Sequence, residues 1–106
     1  FASGRCSEDE TLATISRLRD FTGELLCPHS AVGVKVAEEH LGAVPMITLA
    51  TAHPAKFPDA VERATGIRPG LPPHMADLLD RPERMTRVPN DLAALQALVR
   101  DRIARR

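Results

Sequence analysis

The sequence has no tryptophan, no tyrosine and only three phenylalanines, an aromatic share of 3%. Large rings supply much of the buried area in an independent core, so a 106-residue chain this poor in them has little to build one around. Cysteine is scarce as well. Cys6 and Cys27 are too few for a disulfide framework, and they suit a reduced, cytoplasmic protein better. No run approaches the roughly 20 apolar residues of a membrane-spanning helix. The N-terminus also lacks the charged-then-apolar pattern of a secretory signal, so no membrane partner is expected. The net charge is zero and gives no field of one sign that would point to nucleic acid.

Chemical signatures are thin in the same way. Phosphate-cradling glycine loops of the P-loop or dinucleotide-binding kind are missing. Cys27 and His29 stand two apart while His40, His53 and His74 are scattered, which matches no paired zinc-ligand spacing, so no metal site is assigned. Cys27 and His29 also make a poor nucleophile and base, because neighbours two apart rarely face one another. Lysine occurs twice, as Lys35 and Lys56, and neither is flanked by groups that would lower its pKa; surface or structural roles are expected for both.

What is present is mostly helical grammar. Ser7-Glu8-Asp9-Glu10 is a capping box, and Leu12, Ile15 and Leu18 follow at helical spacing, which predicts a helix over 8–21 ending before Gly23. Residues 25–27 form a short apolar run stopped by Pro28. The alternation of Val32, Val34 and Val36 suits a strand, yet Ser30 is a good N-cap and Gly42 a natural stop, so the reading adopted is a helix over 31–41. Pro58 and Gly66 bracket a helix over 58–65, a short helix is expected over 74–79, and Asn90 is expected to cap a last helix over 91–104. Charge is unevenly spread: residues 1–80 hold 7 basic and 11 acidic groups, residues 81–106 hold 7 and 3. On a helix such a basic tail reads as a solvated face.

Residues 46–51, Met-Ile-Thr-Leu-Ala-Thr, break the pattern. A short, nearly continuous apolar run is the form of a strand buried on both faces of a parallel sheet. One strand, or two if residues 25–27 count, cannot make a stable sheet, so either the run is not a strand or its partners lie outside this sequence. The expected core is Leu12, Ile15, Val34, Met46, Ile47, Leu49, Leu95 and Val99. A start at Phe1 rather than Met suits a piece of a longer polypeptide.

Residues 27–58 turn the reading from generic to specific. Cys27-Pro28-His29-Ser30-Ala31-Val32-Gly33 resembles the threonine synthase motif in which Pro-His is followed by Thr or Ser and then Ala-Val-Gly. Further on, Leu49-Ala50-Thr51-Ala52-His53-Pro54-Ala55-Lys56-Phe57-Pro58 closely resembles that family's LATAHPAKF segment. Ser7 to Ile15, Leu71-Pro72 and Asn90-Asp91 also fall where the family has them, so the resemblance runs in order along nearly the whole chain.

The resemblance implies an α/β fold, with this helix-rich C-terminal segment contributing one or two strands to the parallel sheet of a fold-type II pyridoxal-phosphate enzyme. It implies conversion of O-phospho-L-homoserine and water to L-threonine and phosphate. The Schiff-base lysine and the loop that grips the cofactor phosphate belong to upstream motifs outside this sequence, so the segment alone is expected to be inactive, its partner being the rest of its own polypeptide. No catalytic residue is assigned. One cofactor-binding residue is carried over: Ser30 matches the Thr or Ser that hydrogen-bonds the pyridine nitrogen. A neutral hydroxyl at the positive end of a helix would disfavour a protonated ring. Ser in place of the commoner Thr keeps the hydroxyl and loses a methyl. Helix capping is the competing role for Ser30, and the His29 and His53–Lys56 positions stay open between a place near the substrate and a purely structural turn. A small non-catalytic interaction module using the 91–104 helix is the alternative reading of the chain.

Overall fold

Ser7 opens the first helix as its spelling requires. In the computed structural model, which describes residues 2–105, α1 spans Glu8–Thr22. The Ser7 hydroxyl accepts from the Glu10 amide at 3.2 Å, and the Glu10 carboxylate accepts from the Ser7 amide at 2.7 Å. Gly23 closes the helix at φ 83°, a left-handed conformation that an L side chain resists. Helix α2 spans Pro28–Glu38, and a 3-10 turn over Pro54–Lys56 leads through Phe57 into α3, Pro58–Thr65. A second 3-10 turn covers Pro73–Met75 where a helix over 74–79 was expected.

Two compact units divide the chain, one running to Ala76 and one from Asp77. In the first, α1 packs against both α2 and α3. Its fully buried apolar residues are Ile15, Cys27, Ala31 and Val61, with Thr11, Thr14 and Ser30 buried beside them. The two threonines solve the problem of a polar group in an apolar seam by donating backwards. Thr11 Oγ1 bonds the Ser7 carbonyl and Thr14 Oγ1 the Glu10 carbonyl, each at 2.7 Å. Ion pairs outside the seam tie the same helices: Arg17 with Glu38 at 2.7 Å, and Arg63 with Glu8. Exposed pairs of this kind add little stability.

The second unit carries α4, Leu92–Ala104. Its N-cap is Asp91, whose carboxylate accepts from the Ala94 amide at 2.7 Å, and not the expected Asn90. Both side chains suit the role; the helix begins one residue later than the sequence suggested.

Three further expectations are corrected. Helix α2 starts three residues before the expected 31 and stops before 41. Cys27 occupies the cap, and Pro28 fills the first helical position, where its missing N–H would have had no partner in any case. Ser30 therefore sits inside the first turn rather than capping it. No residue among those described forms a strand: 46–51 is irregular. A strand satisfies its backbone only through neighbouring strands, and among the described residues none is present. Met46, Ile47 and Leu49 are accordingly exposed, Ile47 at 84%, and Leu95 and Val99 on α4 are exposed as well. Of the expected core, Ile15 is fully buried, with Leu12 and Val34 half-buried.

Candidate functional site

The N-terminal turn of α2 and the turn before α3 carry the two motifs, and the fold brings them together. Cys27 lies in extended backbone at φ −76°, ψ 159°, and its carbonyl accepts the first helical bond, from the Ala31 amide at 3.0 Å. Pro28, His29 and Ser30 follow as the first three helical residues. At that spacing the Ser30 amide points back to the cap and bonds Cys27 Sγ at 3.4 Å. The Ser30 hydroxyl lies 3.2 Å from the same sulfur. Ser30 is 3% exposed and Cys27 fully buried, so the pair is shielded from bulk water. A hydroxyl has one hydrogen to donate and two lone pairs, and one weak sulfur contact leaves it capacity for another partner.

His29, adjacent in sequence, is exposed and turns elsewhere. Its ring stands 4.7 Å from that of Phe57, tilted by 42°. Lys56 places its ammonium 5.8 Å from the centre of the Phe57 ring, within reach of the ring's negative face. Phe57 thus joins the Pro-His-Ser motif to the Ala-His-Pro-Ala-Lys-Phe motif, a contact invisible in the sequence. His53 caps the short 3-10 turn: its Nδ1 accepts from the Ala55 amide at 3.1 Å. In a neutral ring that bond assigns the proton to Nε2. Nε2 is then free to donate, and His53 borders a surface cleft of about 430 Å³ with Pro54, Pro69 and Gly70. A smaller cleft of about 270 Å³ lies beside His29, bounded by Cys6, Glu8 and Thr11.

Neither lysine is prepared as a reactive amine. Lys35 is held above the ordinary lysine pKa, first by its hydrogen bond to the Glu39 carboxylate and further by the Glu10 charge. It also donates to the Arg5 carbonyl at 3.2 Å. A nucleophilic lysine needs the opposite shift. Lys56 is exposed beside its aromatic neighbour.

Gly33, on the same helix as Ser30, fixes the approach of the apolar segment. A Cβ there would lie 3.0 Å from Thr48 Cγ2, closer than an ordinary contact. A side chain at 33 would thus require Thr48 to give way by a few tenths of an ångström.

Comparison with known proteins identifies the family. The family model described as "Threonine synthase, C-terminal" matches residues 30–99. Threonine synthase of Pseudomonas aeruginosa is 51% identical over 102 residues, covering 93% of this chain and 22% of its own length. That of Corynebacterium glutamicum is 38% identical over 106 residues, covering 98% of this chain and 22% of its own. Among solved structures, the PLP-bound threonine synthase of Brucella melitensis superposes with a TM-score of 0.82 at 51% identity, over 95% of this chain and 22% of that one. The chain thus spans about a fifth of the length of these relatives. Motifs, helical packing and relatives agree that the chain belongs to the threonine synthase family and corresponds to its C-terminal region.

Proposed function

We propose that this segment is the C-terminal part of a pyridoxal-phosphate-dependent threonine synthase, in which it supplies the hydroxyl that meets the cofactor's ring nitrogen. The overall reaction is conversion of O-phospho-L-homoserine and water to L-threonine and phosphate. Support for the enzyme comes from relatives of that name, among them one 51% identical, and for the cofactor from the related PLP-bound structure. Two free cysteines suit the reducing cytoplasm in which the enzyme is placed. Residues 46–51, largely exposed and without strand partners among the described residues, are the natural candidates for a strand of the parent sheet.

The observation that carries the role of Ser30 is its setting. It is buried, neutral, in the first turn of an 11-residue helix, and hydrogen-bonded to no ionised group. A pyridine nitrogen there meets a hydroxyl donor and the positive end of a helix, both of which favour the unprotonated ring. The donor set therefore fits the group. When bound, pyridoxal phosphate supplies the electron sink for removal of protons from the substrate. Ser30 would orient the ring and hold its nitrogen free of a proton, which limits how much charge that sink accepts. This setting favours elimination and replacement over transamination. The amine that moves the protons would come from upstream sequence, since Lys35 is locked in ion pairs and Lys56 is at the surface.

The test is phosphate release from O-phosphohomoserine by the full-length protein loaded with pyridoxal phosphate, run beside the 106-residue chain alone. Turnover is expected from the full-length protein and none from the segment. Ser30→Ala in the full-length protein should lower kcat by about tenfold, the scale of one hydrogen bond to a reacting system, with cofactor still bound. A loaded protein that ignores O-phosphohomoserine would overturn the substrate assignment. An unchanged kcat in Ser30→Ala would overturn the role of the hydroxyl.

A further inference from the structure

We infer that Cys27 is a positioning residue for the cofactor contact: its thiol turns the Ser30 hydroxyl so that the hydrogen faces the ring nitrogen. The inference rests on the reading of Ser30 given above and concerns what sets the direction of that hydroxyl. A serine hydroxyl rotates freely unless a neighbour fixes it, and a lone pair rather than a hydrogen facing the ring nitrogen would repel it. Cys27 Sγ is the neighbour. It lies 3.2 Å from Ser30 Oγ and accepts the Ser30 amide at 3.4 Å, with both side chains out of water.

The two contacts are complementary. A thiol has one S–H and acceptor lone pairs. With a lone pair engaged by the Ser30 N–H, the S–H is available to donate to Ser30 Oγ. An oxygen that accepts from sulfur keeps its own hydrogen for a third partner, and the ring nitrogen is an acceptor. Cysteine is an unusual cap; Ser, Thr, Asp and Asn are the residues that helices prefer there. A buried aspartate would accept both Ser30 hydrogens and leave none for the cofactor. Capping combined with donation to Ser30 is within reach of a thiol, as it is of a hydroxyl, and beyond a carboxylate.

The measurement is the ring-nitrogen chemical shift of ¹⁵N-labelled pyridoxal phosphate bound to the full-length protein, with kcat, KM and Tm for each variant. Ser30→Ala should move the shift away from the hydrogen-bonded value. Cys27→Ala should move it in the same direction, lower kcat about fivefold with KM unchanged, and add nothing in the Ser30→Ala background. Cys27→Ser, which keeps a donor and an acceptor, should restore the shift. Cys27→Val fills much the same buried space while neither donating nor accepting. It should retain most of the Tm yet lose the shift, and it decides the matter if Cys27→Ala fails to fold. Cys27 variants that lower Tm but leave the ring nitrogen unchanged would reduce Cys27 to a cap and overturn the inference alone. A silent Ser30→Ala would overturn the underlying reading and this inference with it.

Discussion

Two isoleucines of identical chemistry sit in opposite circumstances, and the contrast yields a quantitative test of what this segment packs against. Ile15 is fully buried on α1, whereas Ile47 is 84% exposed. Replacing either by alanine removes three carbons. At about 0.8 kcal/mol for each buried carbon the lost transfer energy is roughly 2.5 kcal/mol, with an added cavity term where the surroundings do not collapse. Ile15→Ala should therefore destabilise by about 3–4 kcal/mol. Ile47→Ala in the isolated chain loses little, within about 0.5 kcal/mol, because the side chain already faces water.

In the full-length protein the two substitutions should become comparable, since a strand buried on both faces gives Ile47 the surroundings that Ile15 already has. Urea unfolding followed by far-ultraviolet circular dichroism, at matched temperature, measures all four values. An equal loss for both variants in the isolated chain would show that residues 46–49 pack within the segment itself. A silent Ile47→Ala in the full-length protein would show that no sheet covers them. Either outcome refutes the assignment of 46–51 as a strand separated from its neighbours.

Three smaller predictions probe the helix ends. The Glu10 carboxyl is held below its ordinary pKa, first by the Ser7 amide and then by the Ser7 side chain and the Lys35 charge. Its contribution to the start of α1 is therefore present above the ordinary carboxylate pKa and lost as pH falls through the lowered folded value. Hydrogen exchange at the Ser7 amide should accelerate in that acid window beyond the intrinsic trend, and Glu10→Gln should abolish the pH dependence. Gly66 closes α3 at φ 70°, so Gly66→Ala should cost about 1–2 kcal/mol in urea unfolding; an unaffected midpoint would refute the strained cap. Asp91→Ala should lower the stability of α4 by about 1 kcal/mol while Asn90→Ala stays within about 0.5, measured by amide exchange within the helix; the reverse order would restore Asn90 as the cap.

What was legible in the sequence follows from the range of the interactions involved. Helices α1 and α3 stand within a residue of their expected bounds, because the capping box, Pro58 and the two left-handed glycines are signals carried by the residues themselves. The start of α2 was misplaced because Ser30 is a preferred cap and cysteine is not, yet Pro28 lets the helix begin earlier. The short run at 46–51 reads as a strand from its own composition, but a strand exists only in the presence of its neighbours. At the site, the cofactor role proposed for Ser30 came from the resemblance, since a serine before a helix is otherwise a cap. The His29–Phe57 contact joins residues far apart in sequence and had no local signal at all. Cys27 was visible as an unmatched metal-ligand type, a poor nucleophile and the first residue of the motif, and its position beside Ser30 came from the corrected helix start.

That division also explains why the Ser30 geometry is formed in a segment that lacks most of the length of its relatives. A helix satisfies its own backbone hydrogen bonds, so α1, α2 and α3 need only bury one face each; α1 packs on both others, and Ile15, Ala31 and Val61 are fully buried. The Cys27–Ser30 turn opens α2, and both of its contacts join residues three apart within the first unit. The apolar run at 46–49 is different: it touches α2 where Gly33 meets Thr48, yet among the described residues its backbone has no ladder to join. The helical part of the expected architecture is thus specified locally, while the proposed strand depends on neighbours beyond the described residues. The Cys27–Ser30 geometry belongs to the helical part, which makes it separable by mutation from the packing expected of 46–51.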